Sequence, residues 1–125
     1  MLQNKNAVIY GGGGSLGGAV AKGLAAGGAK VFLTGRNIGS VQKVADDILA
    51  LGGNAEVAVV DALDETAVNN FLNKVVHMAG TVDISFNATG TDVVQNIPLT
   101  DIAGDDFMRP VTFMLQTQFL TSIAA

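Results

Sequence analysis

Apolar positions in this chain fall into short continuous runs separated by longer stretches in which they recur every three or four residues. The short runs are Ala7–Tyr10, Val31–Thr34, Ala55–Val60 and Val82–Asn87. Runs of this kind, bounded by glycine or polar residues, predict strands. Between the first two, Leu16–Ala26 carries Leu16, Val20 and Leu24 at helical spacing and stops at Gly27-Gly28. Ser40 is placed to cap a second helix, on which Val41, Val44, Ala45, Ile48 and Leu51 share a face that ends at Gly52-Gly53. Asp64 is placed to cap a third, with Val68, Phe71, Leu72, Val75 and Val76 as its stripe and Gly80 as its stop. The stretch Ala88–Asp106 holds Pro98 and several polar residues and reads as irregular. A last helix is expected from near Phe107 to the end, with Phe113, Leu120 and Ile123 among its apolar positions and Pro110 in its first turn. Strands alternating with helices of this length imply right-handed crossovers and a parallel sheet covered on both faces, an α/β protein.

The junction after the first run carries the chemistry. Ala7–Tyr10 leads straight into Gly11-Gly12-Gly13-Gly14-Ser15-Leu16-Gly17-Gly18, which opens the first helix. Glycines let the backbone turn sharply and approach a ligand with no Cβ in the way. The helix start adds unpaired N–H groups and the positive end of its dipole, so the junction suits a diphosphate. A nucleoside-triphosphate loop, G-x-x-x-x-G-K-S/T, is excluded. Gly13 and Gly18 have its spacing, but Ala19 and Val20 stand where Lys and Ser/Thr are required. The dinucleotide pattern G-x-G-x-x-G is met by Gly12, Gly14 and Gly17 in the required strand–turn–helix setting. The fold class expected is therefore a Rossmann-type doubly wound parallel sheet of about four strands in the order 3-2-1-4, with its crevice beside the first strand.

Composition narrows the picture. At 125 residues the chain is sized for one domain with a real core, here residues 1–125 as a dinucleotide-binding domain. There is no cysteine, which excludes disulfides and thiolate zinc sites. A net charge of −4 argues against general nucleic-acid binding. Lys5, Lys22, Lys30, Arg36 and Lys43 all precede the first carboxylate, Asp46, so the half holding the glycine turn is basic. That asymmetry fits an anionic ligand, and equally fits lysines that solubilise helices. No apolar stretch reaches membrane-spanning length and the N-terminus lacks a signal-peptide core, so a soluble cytoplasmic protein is expected. His77 is read as a solvated helix residue. Asp64-Glu65 and Asp105-Asp106 are read as helix-start carboxylates.

The end of the second strand reads the adenosine ribose in dinucleotide folds: a carboxylate there bonds the 2′-hydroxyl of NAD, and an arginine accommodates the 2′-phosphate of NADP. This chain has Thr34-Gly35-Arg36-Asn37 and no carboxylate. A charge-assisted guanidinium–phosphate bond of ~1.5–3 kcal/mol corresponds to a preference of about ten- to a hundred-fold, so NADP is expected over NAD.

Taken together these residues resemble the short-chain dehydrogenases/reductases. Tyr10-Gly11-Gly12-Gly13-Gly14-Ser15-Leu16-Gly17 is similar to the family's T-G-x-x-x-G-x-G, with Tyr10 for Thr and Ser15 for the middle glycine. Thr34-Gly35-Arg36 resembles the NADP-type strand ending, and Asp61-Ala62 the place where an Asp meets the adenine amine. Asn87-Ala88-Thr89-Gly90 is similar to the N-N-A-G stretch bordering the nicotinamide half. The resemblance implies an NAD(P)(H)-dependent oxidoreductase of alcohols and ketones, acting as a dimer or tetramer. It also implies cofactor contacts from Gly11, Gly13, Gly14, Ser15, Leu16, Gly17, Arg36, Asp61, Ala62, Asn87, Ala88 and Thr89.

Two departures bear on catalysis. The family carries an Asn within V-N-L-x-G-x-F, and here Phe113-Met114-Leu115-Gln116-Thr117-Gln118-Phe119 puts Met114 in its place. A thioether cannot anchor a relay water as a carboxamide does. The family's catalytic Ser and Tyr-x-x-x-Lys lie beyond this helix, and the chain ends at Ala125 with Tyr10 its only tyrosine. The expectation is a cofactor-binding portion without catalytic residues of its own, self-associating through an uncovered fourth strand or last helix. The alternatives are a non-catalytic nucleotide- or partner-binding module, and a degenerate product without a ligand. The substrate is not legible, since Thr89, Asp92 and the loop after them are too generic.

Overall fold

The computed structural model of the chain describes residues 1–90 and 97–124; Asp92 and its immediate neighbours lie outside them. Strands and helices follow in turn: β1 (Asn6–Tyr10), α1 (Ser15–Ala26), β2 (Lys30–Gly35), α2 (Ile38–Ala50), β3 (Asn54–Val59), α3 (Glu65–Ala79), β4 (Ile84–Asn87) and α4 (Gly104–Ala124). The strands pair in the order β3-β2-β1-β4, all parallel. This is the Rossmann-type sheet expected from the alternation.

Alternate residues of the central strands part to two layers, as a period of two requires. Val8, Tyr10 and Phe32 pack with Val68, Phe71, Leu72 and Val75 of α3. Ile9, Val31 and Leu33 pack with Ala21 of α1 and with Val41, Val44, Ala45 and Ile48 of α2. All of β1 is buried, whereas β3 and β4, at the two edges, are largely half-exposed. The register sets the site: Tyr10 stands level with Thr34 on one side and with Asn87 on the other. The C-terminal ends of β2, β1 and β4 therefore finish on one rim.

Several local expectations are corrected. Asn37, not Ser40, caps α2: its Oδ1 accepts from Gly39 N–H at 2.9 Å, and Ser40, already inside the helix, donates its hydroxyl to the Asn37 carbonyl at 3.1 Å. Asn caps as well as Ser, and its earlier position takes the first free N–H. Leu51 is 86% exposed because it lies past the last turn of α2, and Val76 points out because the stripe of α3 stays on Val68, Phe71, Leu72 and Val75. On α1 the buried residues are Gly17, Gly18 and Ala21, and Leu16 is 63% exposed. That helix lies too close to the sheet and α2 for larger side chains: a Cβ on Gly18 would stand 3.3 Å from Val44 Cγ2. β3 begins and ends one residue earlier than expected.

β4 is shorter than expected because Asp83 closes the base of the sheet instead of extending it. Asp83 N–H donates to the Asn6 carbonyl at 2.9 Å, and its carboxylate accepts from Asn6 N–H at 2.8 Å. α4 starts at Gly104, so Pro110 lies inside it rather than in its first turn. Asp105 and Asp106 suit the positive end of the helix, which pulls the start forward. The face that α4 buries is Phe113, Thr117 and Thr121, whereas Ile123 is exposed. No helix among the described residues is long and apolar enough to cross a membrane.

Candidate functional site

The glycine turn is held open by backbone bonds to its neighbours on the rim. Gly12 N–H donates to the Thr34 carbonyl at 2.9 Å, Ala88 N–H to the Tyr10 carbonyl at 2.8 Å, and Val60 N–H to the Gly35 carbonyl at 3.3 Å. Thr34 Oγ1 ties the strands below by donating to the Ile9 carbonyl at 3.2 Å. Two glycines are required by geometry. Gly11 has φ +77°, and a Cβ there would stand 2.7 Å from the Ala88 carbonyl oxygen. A Cβ on Gly17 would overlap the Gly11 carbonyl oxygen, so α1 crosses the turn with no room for one. Gly14, by contrast, is exposed and uncrowded. Backbone contacts thus confine Gly11 and Gly17, the outer glycines of T-G-x-x-x-G-x-G, while Cβ atoms on Gly12 and Gly13 would crowd the side chains of Leu33, at 2.8 Å, and Ser40.

Gly14 caps α1 without a side-chain hydrogen bond. Around it, the N–H groups of Gly13, Ser15, Leu16 and Gly17 make no hydrogen bond among the described residues, the first inside partner being Gly18 N–H to the Gly14 carbonyl at 2.8 Å. Ser15 and Leu16 stand exposed at the mouth. Four donors on one glycine-rich turn, at the positive end of a helix, are the elements from which anion nests are built.

A cleft of about 100 Å³ continues from the turn along the rim, bordered by Gly11, Arg36, Asp61, Ala62, Thr89 and Phe113. Asp61 is exposed there, and its Oδ1 accepts from Leu63 N–H at 3.0 Å to hold the loop after β3. Ala62 is buried beneath it. Asn87 is fixed between strand and helix. Its Nδ2 donates to Thr117 Oγ1 at 3.0 Å, and its Oδ1 accepts from Thr89 N–H at 3.0 Å and Thr89 Oγ1 at 2.5 Å. Arg36 extends from the end of β2 with its guanidinium over the Phe113 ring. Of the sequence-derived positions, Gly11, Arg36, Asp61, Ala62 and Thr89 border this one cleft, and Asn87 lies beside it at the end of β4. Met114 does not border the cleft and is 47% exposed.

A model of the short chain dehydrogenase family matches residues 5–125. The chain belongs to that family. Its sequence is 37% identical over 121 residues to the oxidoreductase YxbG of Bacillus subtilis (strain 168), covering 97% of this chain and 44% of that relative. Among solved structures, an NAD+-bound xylitol dehydrogenase superposes with a TM-score of 0.90 at 29% identity, over 98% of this chain and 47% of the other. A metagenomic short-chain oxidoreductase in complex with NADP superposes at 0.86 and 28%, over 98% and 55%. The chain thus spans about half the length of the short-chain dehydrogenases it matches. Members of the family bind nicotinamide cofactors, and the two nucleotides named in these structures differ in a 2′-phosphate.

Tyr10 and His77 are both set apart from the rim. The Tyr10 ring is buried edge-on against Phe71, with centroids 6.3 Å apart, and burial pushes its hydroxyl up to about 12. His77 is exposed in the last turn of α3. Asp64 caps α3, its Oδ1 accepting from Ala67 N–H at 3.1 Å, and Asp106 pairs with Arg109. Two site features escaped the sequence: Phe113 as a wall of the cleft and Thr117 as the partner of Asn87. Both left a signal in the same motif: Phe113 stands where the family has valine, and Thr117 where it has glycine.

Proposed function

We propose that residues 1–125 are the NADP(H)-binding portion of a short-chain dehydrogenase/reductase that acts on an alcohol or ketone. The four free N–H groups between Gly13 and Gly17 carry this reading. They fit a pyrophosphate because no side chain among the described residues competes for them, and the absence of Cβ atoms at Gly11 and Gly17 lets the turn, α1 and the end of β4 close together. Arg36 takes the 2′-phosphate, Asp61 and Ala62 line the adenine end, and Asn87, Ala88 and Thr89 border the nicotinamide end. When bound, the nicotinamide exchanges a hydride with the substrate. This chain's residues bind and orient it, and the buried Tyr10 hydroxyl takes no part in proton transfer. Cytoplasmic location and a homo-oligomer accord with the composition and with the apolar residues on the outer face of α4.

Titration of the chain with NADPH and NADH by fluorescence tests this. NADPH binds about ten- to a hundred-fold more tightly, and Arg36→Ala removes that difference. Equal affinities in the unmutated chain would overturn the NADP assignment. A second reading, a dinucleotide-binding module without catalysis, is favoured by Met114 where the family carries its Asn. Coding sequence beyond codon 125 separates the two: a downstream Ser and Tyr-x-x-x-Lys support the oxidoreductase, and an immediate stop supports the module.

A further inference from the structure

We infer that the flank of the sheet beside α3 holds a second ligand site, a one-ring hollow that selects a small phenol. α3 returns from β3 to β4 by crossing β1, where Phe71 meets the Tyr10 ring edge-on. That path leaves the β2–β3 half of the sheet open on this side, while α2 covers the opposite side. The hollow that results has a volume of about 140 Å³. Phe32 and Ala58 of the sheet form its floor, and Phe71, Val75 and Met78 of α3 its wall. None of these residues borders the cleft of Gly11, Arg36 and Asp61, so the site stands apart from the dinucleotide reading. An apolar cavity of about 150 Å³ takes one benzene ring, and a single six-membered ring fits here.

Two charged groups on the hollow decide what the ring must carry. Glu56 stands level with Phe32 on the neighbouring strand and lines the hollow beside it. Its Oε2 is closed off from solvent and meets Lys30 Nζ as an ion pair at 3.4 Å, with no hydrogen bond. Lys30 in turn lies over the Phe32 ring, 5.2 Å from its centroid. The Glu56 carboxylate thus accepts no hydrogen bond among the described residues. Across the hollow on α3, Lys74 is exposed and makes no ion pair among the described residues. A ligand amine would meet two ammonium groups, and a ligand carboxylate would meet Glu56. A hydroxyl suits both sides, since its proton goes to the carboxylate and its oxygen accepts from Lys74. A phenol puts that hydroxyl on a rigid ring whose faces and edges pack against Phe32 and Phe71. Met78, unbranched and half-exposed at the mouth, adapts to the ring.

NMR titration of the 125-residue chain with phenol, benzylamine and benzoate tests the site, read at the Met78 methyl and the Phe71 ring. Phenol shifts both signals with a Kd of about 1 mM, and the amine and the carboxylate bind at least about ten-fold more weakly. Glu56→Leu weakens phenol about ten-fold, and Ala58→Leu, which fills the hollow, abolishes its binding. Should Ala58→Leu fail to fold, the half-exposed Glu56 variant and the three probes on the unmutated chain still decide. Signals that stay in place at about 10 mM phenol overturn the inference. So does equal binding of benzylamine or benzoate, or unchanged phenol affinity in Glu56→Leu. NADPH affinity is the same with and without phenol, so failure here leaves the dinucleotide reading untouched.

Discussion

The corner where β1 meets α1 and the corner where β4 meets α4 lie side by side on one rim, yet they are built on opposite plans. In the first, every strand residue is buried and the helix presents Gly17, Gly18 and Ala21 inward. Backbone lies against backbone, and specificity resides in missing atoms. In the second, a short edge strand is tied to its helix by one side-chain bond, Asn87 to Thr117. The buried threonines turn their hydroxyls back to helix carbonyls, Thr117 to Met114 at 3.2 Å and Thr121 to Thr117 at 2.8 Å. The large apolar residues of α4, among them Phe107, Leu115, Phe119 and Ile123, point away from the sheet. The first corner is finished by its own residues; the second presents a surface suited to a partner. Under the proposed function, contact with an anion would rest on the first, and self-association on the second.

The largest effect that separates the two plans is expected at Gly17. Gly17→Val drives a side chain into the Gly11 carbonyl, so it destabilises by ~1–3 kcal/mol and abolishes NADPH binding in the same titration. Urea denaturation and fluorescence check the two effects. Gly23 on the same helix has no atom within 4 Å of a built Cβ, and Gly23→Ala should instead stabilise by ~0.5–1 kcal/mol. If both substitutions behave alike, the close approach at Gly17 is not what the turn depends on.

The second corner is probed by sedimentation. At micromolar concentration the chain is expected to sediment as a dimer or larger, and Leu115→Lys with Phe119→Lys should shift it toward monomer, since both side chains are more than half exposed. A clean monomer before mutation would remove the reason to treat α4 as an interface.

A further small effect concerns Tyr10, buried in the layer under α3. Its hydroxyl has no hydrogen-bond partner among the described residues. Tyr10→Phe is therefore expected to stabilise by ~1 kcal/mol at neutral pH. The native hydroxyl titrates near 12 because of desolvation, against 10.0 ordinarily. The folded state thus holds its proton longer than the unfolded one. Stability from this group is complete below about pH 10 and is lost as pH rises toward the folded value. Unfolding curves of the phenylalanine variant should lack that alkaline decline.

Element order, strand order and the position of the glycine turn were legible because they rest on periodicity and on glycines whose spacing has few other uses. The apolar stripes of α2 and α3 were legible for the same reason, apart from Leu51 and Val76 at their margins. The α4 face was misread because hydrophobic periodicity presumes that a helix buries its apolar side. Here the buried side carries Phe113, Thr117 and Thr121 and the apolar side is left outward. The α2 cap was misplaced because Asn37 and Ser40 are both good caps, and only the path of the chain leaving β2 decides between them. The place of Arg36 just past β2 was legible, but its seat over Phe113 joins positions far apart in sequence and needed the fold.

The level ends of β1, β2 and β4 make the length of β1 a setting for the whole rim. Deleting one residue from that strand would turn the Tyr10 ring from the α3 layer into the α1 and α2 layer. It would also draw Gly11 away from Ala88 and lower four amide donors by one rung. The molecule thus tolerates variation in what its strands carry far better than in how many residues they count.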